Sequence, residues 1–559
     1  MDSGRFLLAI VLMIAVMVIT NVLLPPPRPA DNPLAGVDSM STVTAPRAVA
    51  PPPEAASPAA IDPGKPGAAA TASGRADTAN VTSPIYRYGF SSRGGSLVSA
   101  ELLEYESFAP GTEGHHVELN PEGNPGLVRY RIRLGSEILD LSSLDFTFDR
   151  PALTVSAEGG PQQLNLTHRD SASGRVISLA YTFRPDLFVF DVEGRISGAP
   201  TTPQVLIDIG PTIASNEAVA TEDDRALAYV INSDQVGIQS QLLGKLRAER
   251  IDNGPLAWIA LKNKYFLVAA LESTDRPTPF GGVIAQPTGV PNSANLSATL
   301  LADADGRFFY RLFVGPRESD HLTALGNQLQ DVSVFGWRFL QPVLRPLGHA
   351  ITWAVLQLHR VLGLGYGWVL ILFGFLIRFV LWPLNSKAMR SQLKNMELQP
   401  RIKDLQARYK SDPQKLQQEM LKLYKEEGFN PMGGCLPMLL PLPVLITLFF
   451  VFQSTIEFRG VSFLWLPDLA RKDPLYILPV LLGLSMFIQQ WLNMRSTKDA
   501  PAQMKYMTYF MPIFLTFLFL NFASGLNLYY ASMNLASVPQ QLQIMKERQR
   551  RMGGAKPKT

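Results

Sequence analysis

One basic residue stands where a basic residue is costly. Arg378 lies in the run Leu372-Phe-Gly-Phe-Leu-Ile-Arg-Phe-Val-Leu-Trp-Pro-Leu384, and an arginine deep in a membrane span costs roughly 2.5–3.5 kcal/mol on insertion scales. It sits about six residues, or ~9 Å of helix rise, from the cytoplasmic end of its run. Two readings stand: the side chain snorkels to the inner headgroups, or it faces a water-filled cavity. Other apolar runs carry polar groups that could wall such a cavity. These are Thr447, Gln453 and Ser454 in one run, Gln489, Gln490 and Asn493 in the next, and Asn527, Ser532, Asn534, Ser537, Gln540 and Gln541 in the last. No Asp or Glu lies deep in any run, a pattern unlike a proton relay, which wants carboxylates. A positive charge without a carboxylate in a hydrated groove attracts acidic or polar peptide segments.

Other chemistry is sparse. The histidines of the polar half, His115, His116 and His168, belong to no HExxH, and no phosphate-binding loop or GxSxG is present. His115-His116 lies in a Gly/Glu-rich stretch and reads as an exposed loop. The single cysteine, Cys435, cannot form an intramolecular disulfide; it reads as a small packed residue. Gly433-Gly434 beside it suits close helix packing. No metal or cofactor is expected, and no enzymatic activity. A net charge of +4 over 559 residues gives bulk charge no pull toward nucleic acid.

The placement of charge says more than its sum. Phe6–Leu24 is an apolar run of about 19 residues, enough to cross ~30 Å of hydrocarbon. It follows Arg5 and ends at Pro25-Pro26-Pro27. Residues 1–24 therefore read as a transmembrane anchor, with a cleaved signal peptide as the alternative. Five further runs follow: Tyr366–Leu384, Gly433–Ser454, Leu475–Met494, Tyr506–Asn521 and Leu526–Met545. The last is the most polar. It counts as a span because six spans place Arg5, the basic 385–430 loop, Arg495-to-Lys505 and the basic tail 546–559 on one side, as the positive-inside rule asks. Both termini are then cytoplasmic.

Between the anchor and the bundle, residues 25–83 are rich in Pro, Ala, Ser and Gly and read as a flexible tether. Residues 84–330 read as an extracytoplasmic β-sandwich, with alternation in Ile177, Leu179, Tyr181 and Phe183 and turn signals at Ser173-Gly174, Arg184-Pro185-Asp186 and Asn253-Gly254. Residues 331–362 mix apolar side chains with Arg338, Arg345, His349, His359 and Arg360, which suits an amphipathic helix in the outer interface. Residues 385–430 suit a cytoplasmic helical hairpin, with Asp412 capping and Pro413 in the first turn of its second helix. The hairpin reads either as a solvated basic element or as a docking platform. The fold class is an α-helical polytopic membrane bundle, an anchor plus a five-helix core over 363–545, with a large extracytoplasmic β-sandwich.

Four blocks carry a resemblance. They are Arg378 with Trp382-Pro383-Leu384; Asn430-Pro-Met-Gly-Gly-Cys-Leu-Pro437; Asp473-Pro-Leu-Tyr-Ile-Leu-Pro479; and Ser524-Gly-Leu-Asn-Leu-Tyr-Tyr530. In this order they resemble the YidC-type membrane protein insertases, in the Gram-negative form with a large periplasmic domain. The resemblance implies a bacterial inner-membrane protein that inserts and folds newly made membrane proteins, alone or with the Sec translocon. It implies a hydrophilic groove open to the cytoplasm and to lipid and closed outwards. Arg378 matches the family's groove arginine, with Gln453, Gln489, Gln490, Asn527 and Asn534 as further groove candidates. Leu442, Leu445 and Tyr530 match substrate-contact positions. Two departures, Pro441 and Gly374, make this groove less polar than in relatives. Implied partners are nascent membrane proteins, the Sec translocon, the ribosome through the basic tail and hairpin, and anionic lipids. Two other classes compete. A polytopic transporter or channel with a periplasmic binding domain would want repeats or broken half-helices around a midplane site. A membrane-bound enzyme, with a sandwich like sugar-epimerising folds, would want a His/Glu set in the sandwich.

Overall fold

The computed structural model describes residues 76–333, 340–410, 412–427, 442–495 and 502–553. The expected anchor Phe6–Leu24, most of the tether, Trp337 to Phe339, the block Asn430–Pro437 with Cys435, Pro441, Lys498 and the tail from residue 554 lie outside them.

The first strand, Thr78–Thr82, begins inside the stretch read as tether and pairs with Tyr86–Ser91. Its Ala79 and Val81 are fully buried in the core of the sandwich. Alternation then governs the domain. Val128–Leu134 and Val176–Phe183 bury every second residue, and Ile177, Leu179, Tyr181 and Phe183 all point into the core.

The strands form two antiparallel layers. One runs through Gln162–Arg169, Val176–Phe183, Val189–Ser197, Arg307–Pro316 and Phe266–Glu272. The other runs through Val128–Leu134, Gln204–Ile209, Ala294–Leu301 and Phe280–Pro287. The long strand Arg250–Lys262 belongs to both. Its first half pairs with Phe280–Pro287 and its second with Phe266–Glu272 and Ala228–Ser233. Asn253-Gly254, expected to be a turn, is instead the irregularity where this strand changes layers. Only glycine fits there, because a Cβ on Gly254 would lie 2.3 Å from the Phe280 carbonyl oxygen. Between the layers lie large side chains led by Trp258, with the hydroxyls of Tyr130 and Tyr310 2.6 Å apart.

Two short helices decorate the sandwich, α1 (Ala220–Ala226) and α2 (Ser319–Ala324). The helical region follows: α3 (Gln341–Leu362), α4 (Tyr366–Val380), α5 (Trp382–Arg408), α6 (Pro413–Glu426), α7 (Leu442–Ser454), α8 (Ile477–Arg495), α9 (Ala502–Phe519) and α10 (Ser524–Gly553). Among the described residues no single helix is long and apolar enough to cross a membrane on its own; α3 and α4 together are, but they meet at 119°. The run Tyr366–Leu384, expected as one span, divides at Leu381, because Pro383 in the first turn of α5 cannot continue the helix before it. Asp412 caps α6 by accepting from the Lys415 amide at 3.0 Å, with Pro413 in the first turn as its sequence predicts. The most polar run forms the longest helix, α10, and Asn527, Ser532, Ser537 and Gln540 are buried along it.

Candidate functional site

Arg378 is positioned by a close contact between α4 and α10. Gly374 makes the contact possible: a Cβ there would stand 3.1 Å from both Ser532 Cβ and the Tyr529 carbonyl oxygen. Phe373 packs on Tyr529 just before it, with ring centroids 5.8 Å apart. One turn beyond Gly374, Arg378 Nη2 donates to Gln540 Oε1 at 2.7 Å. Gln540 is buried, and its Nε2 donates to the Trp382 carbonyl oxygen at 3.0 Å and to Ser386 Oγ at 2.8 Å. One glutamine thus joins the arginine of α4, the first turn of α5 and the middle of α10. Arg378 is half-buried, and among the described residues its buried Nε has no partner and no carboxylate pairs with it.

The remaining groove candidates do not converge on Arg378. Gln489 Nε2 on α8 reaches Ser537 Oγ at 3.3 Å and the Asn534 carbonyl oxygen at 3.4 Å, and Asn534 Nδ2 reaches Ser485 Oγ at 3.3 Å. Ser485, Gln489 and Asn534 line a cavity of about 320 Å³ between α8 and α10 that also includes Gln541 and is otherwise walled by aliphatic side chains such as Leu481, Ile488 and Leu535. Adjacent helix residues point ~100° apart, so Gln540 faces α4 while Gln541 faces this cavity. Gln490 is half-buried beside Gln489. Gln453 lies at the far end of α7, next to the turn Ile456–Phe458 on whose Phe458 the first residue of α4, Tyr366, packs. That level is about 18 Å of helix rise from Arg378. Asn527 is fully buried near the start of α10. Its Nδ2 donates to the Phe519 carbonyl oxygen at 3.1 Å, and its Oδ1 has no partner among the described residues. Of the substrate-contact candidates, Tyr530 is buried against Phe519 and Leu445 is half-buried on α7. Leu442 opens α7, and its side chain lies outside the described residues.

A second arginine marks the opposite end of the bundle. In the loop between α7 and α8, Arg459 Nε meets Glu217 Oε1 of the sandwich at 2.6 Å, with side chains only 4% and 6% exposed. Its Nη2 donates to the Asn216 carbonyl oxygen at 3.1 Å, and its guanidinium lies 4.3 Å from the Phe108 ring centre. Gly460 follows at φ +72°, with Phe108 so close that a Cβ would meet it at 2.9 Å. Nearby, burial pushes the Glu457 carboxyl up to about 7. Asp473 accepts from the Leu475 and Leu478 amides and so caps α8, while the Ser524 and Gly525 amides donate to carbonyls of the same loop. The sandwich also holds α3: Asp331 takes His349 at 2.7 Å and Arg345 at 3.4 Å, and Asp320 takes Arg360. Sequence patterns did not point to Glu217, which no motif distinguishes. Arg459 and Gln540 had a visible signal, a charge just past a span and an amide in the most polar run.

The 60Kd inner membrane protein family model matches residues 357–551, and the YidC periplasmic domain model matches residues 78–347. The membrane protein insertase YidC of Burkholderia lata is 33% identical over 426 residues, 72% of each chain. The chain belongs to the YidC family of membrane protein insertases. The YidC of Syntrophus aciditrophicus is 29% identical over 565 residues, 97% of this chain and 99% of that one. A match to the crystal structure of an active YidC insertase with its first transmembrane domain resolved covers 83% of this chain and 91% of that one, at 18% identity and a TM-score of 0.33. In this YidC-family chain one family match ends and the other begins within α3, the helix that the sandwich holds at both ends.

Proposed function

We propose that this chain inserts newly made proteins into the bacterial inner membrane and that Arg378 guides the polar segment of the client. The observation that carries the reading is the state of that guanidinium: half-buried, hydrogen-bonded to a neutral amide, and without a carboxylate among the described residues. A charge held this way keeps its attraction for an incoming acidic segment. The chain passes the membrane six times with both termini inside, and the sandwich lies outside, where the loops carrying Glu457, Arg459 and Asp473 meet it. An apolar client segment leaves sideways into lipid along Leu442, Leu445 and Tyr530, and the polar amides of α8 and α10 line its hydrated side.

The energetics need no nucleotide. About 20 apolar residues at roughly 0.5 kcal/mol each favour the membrane by ~10 kcal/mol. That exceeds the ~3 kcal/mol charged to each ionised group that must pass the centre. Nascent membrane proteins are the clients. The Sec translocon is a second partner, the hairpin α5–α6 and the basic tail face the ribosome, and the same basic groups meet anionic lipid.

The test is depletion of the protein in cells, followed by insertion of a small single-span client with a short acidic tail. Insertion is expected to fail, and normal insertion refutes the reading. A transporter would leave client insertion intact.

A further inference from the structure

We infer that Gln540 is a positioning residue that sets the charge preference of Arg378, an inference that rests on the guiding role proposed for that arginine. Three observations carry it. Gln540 Oε1 is the acceptor that fixes the guanidinium, at 2.7 Å. The same side chain is 1% exposed and uses Nε2 on the Trp382 carbonyl oxygen and Ser386 Oγ, so its amide cannot turn without breaking contacts on a third helix. The guanidinium's needs are only partly met: its Nε is buried without a partner, and no carboxylate pairs with it, among the described residues.

An amide is the group that can do this job. A glutamate of the same length would also accept from Arg378, but as an ion pair it would neutralise the arginine and compete with the client's carboxylates. An aliphatic side chain would leave the guanidinium unoriented. Glutamine orients the cation and leaves its charge to the client. The two-sided use of the amide also ties the arginine to the first turn of α5, the start of the hairpin.

The experiment uses the full chain in inverted membrane vesicles and two single-span clients that differ only in tail charge, one acidic and one neutral. Gln540→Glu is expected to lower insertion of the acidic-tail client about tenfold, the factor a charge-assisted hydrogen bond supplies. The neutral-tail client is expected to insert as before. Gln540→Met, which removes the acceptor without adding charge, is expected to lower the acidic-to-neutral ratio several-fold, less than Glu does. Equal loss for both clients in both variants would make Gln540 a packing residue only and overturn the inference. An unchanged ratio in Gln540→Glu that accumulates normally would overturn it too. Arg378→Ala is run alongside. If it leaves the acidic-tail client unaffected, the guiding role itself fails; if it lowers that client while Gln540→Glu does not, only the inference about Gln540 fails.

Discussion

Two arginines, at opposite ends of the same bundle, are treated in opposite ways. Arg459 meets a carboxylate at 2.6 Å, a backbone carbonyl and an aromatic face, and almost none of it reaches solvent. Arg378 has an amide, a buried Nε without a partner among the described residues, and a side chain only partly covered. A buried charge whose requirements are met locally serves architecture. A charge whose requirements are met only in part is available to something that comes and goes. On the orientation and role proposed above, the junction with the sandwich is the fixed end of the bundle and the Arg378 end the working one.

The comparison can be broken most forcefully at the outer end. Arg459→Ala would leave Glu217 buried without its partner, at an expected cost of about 3–5 kcal/mol. It should appear as a lower unfolding temperature of the detergent-solubilised protein and faster proteolysis between the sandwich and the helices. Unchanged stability would mean the two regions are not braced there. Next comes Arg378→Ala, expected to lower insertion of an acidic-tail client about tenfold, while Arg378→Lys keeps most of it and neither variant loses much stability. Equal loss in both would show that the planar guanidinium matters more than its charge. Gly374→Val should separate α4 from α10 at a cost of about 1–3 kcal/mol, read as reduced thermal stability. Because it shifts Arg378 away from Gln540, it should also lower the acidic-to-neutral insertion ratio.

The smallest effect is one of pH. Burial raises the Glu457 carboxyl to about 7. The folded state therefore holds a proton that the unfolded chain releases at its ordinary, lower pKa. That contribution to stability is complete below the unfolded value and is lost as pH rises through about 7. The unfolding temperature should fall over that range, and Glu457→Gln should flatten the dependence.

Much of this was legible in the sequence. Period-two alternation located the strands, Asp412-Pro413 gave the start of α6, and Arg378 announced itself by its cost. What was not legible depends on contacts across long separations. Gln540 is 162 residues from Arg378, and Glu217 is 242 from Arg459. Nothing local marks either as a partner. Asn253-Gly254 misled because turns and layer-switching strands both ask for glycine, and only the neighbouring Phe280 carbonyl distinguishes them. The polar residues of the last run suggested one chamber. The helix period spreads them over different faces, and several hydroxyls, such as Ser532 on the Leu528 carbonyl, are satisfied within their own helix.

The sharp turn after α3 has a consequence for how the protein stands in its surroundings. The helix runs crosswise to α4, shows Val343, Trp353 and Val361 on its open side, and is pinned to the sandwich through Asp331 and Asp320. On the orientation proposed above it works as a depth gauge. Its greasy side floats at the headgroup level, and its pinned side sets the altitude of the sandwich. The β-domain then rides at one height above the bilayer, like a buoy on a short rigid mooring, and whatever meets its upper surface must reach that height.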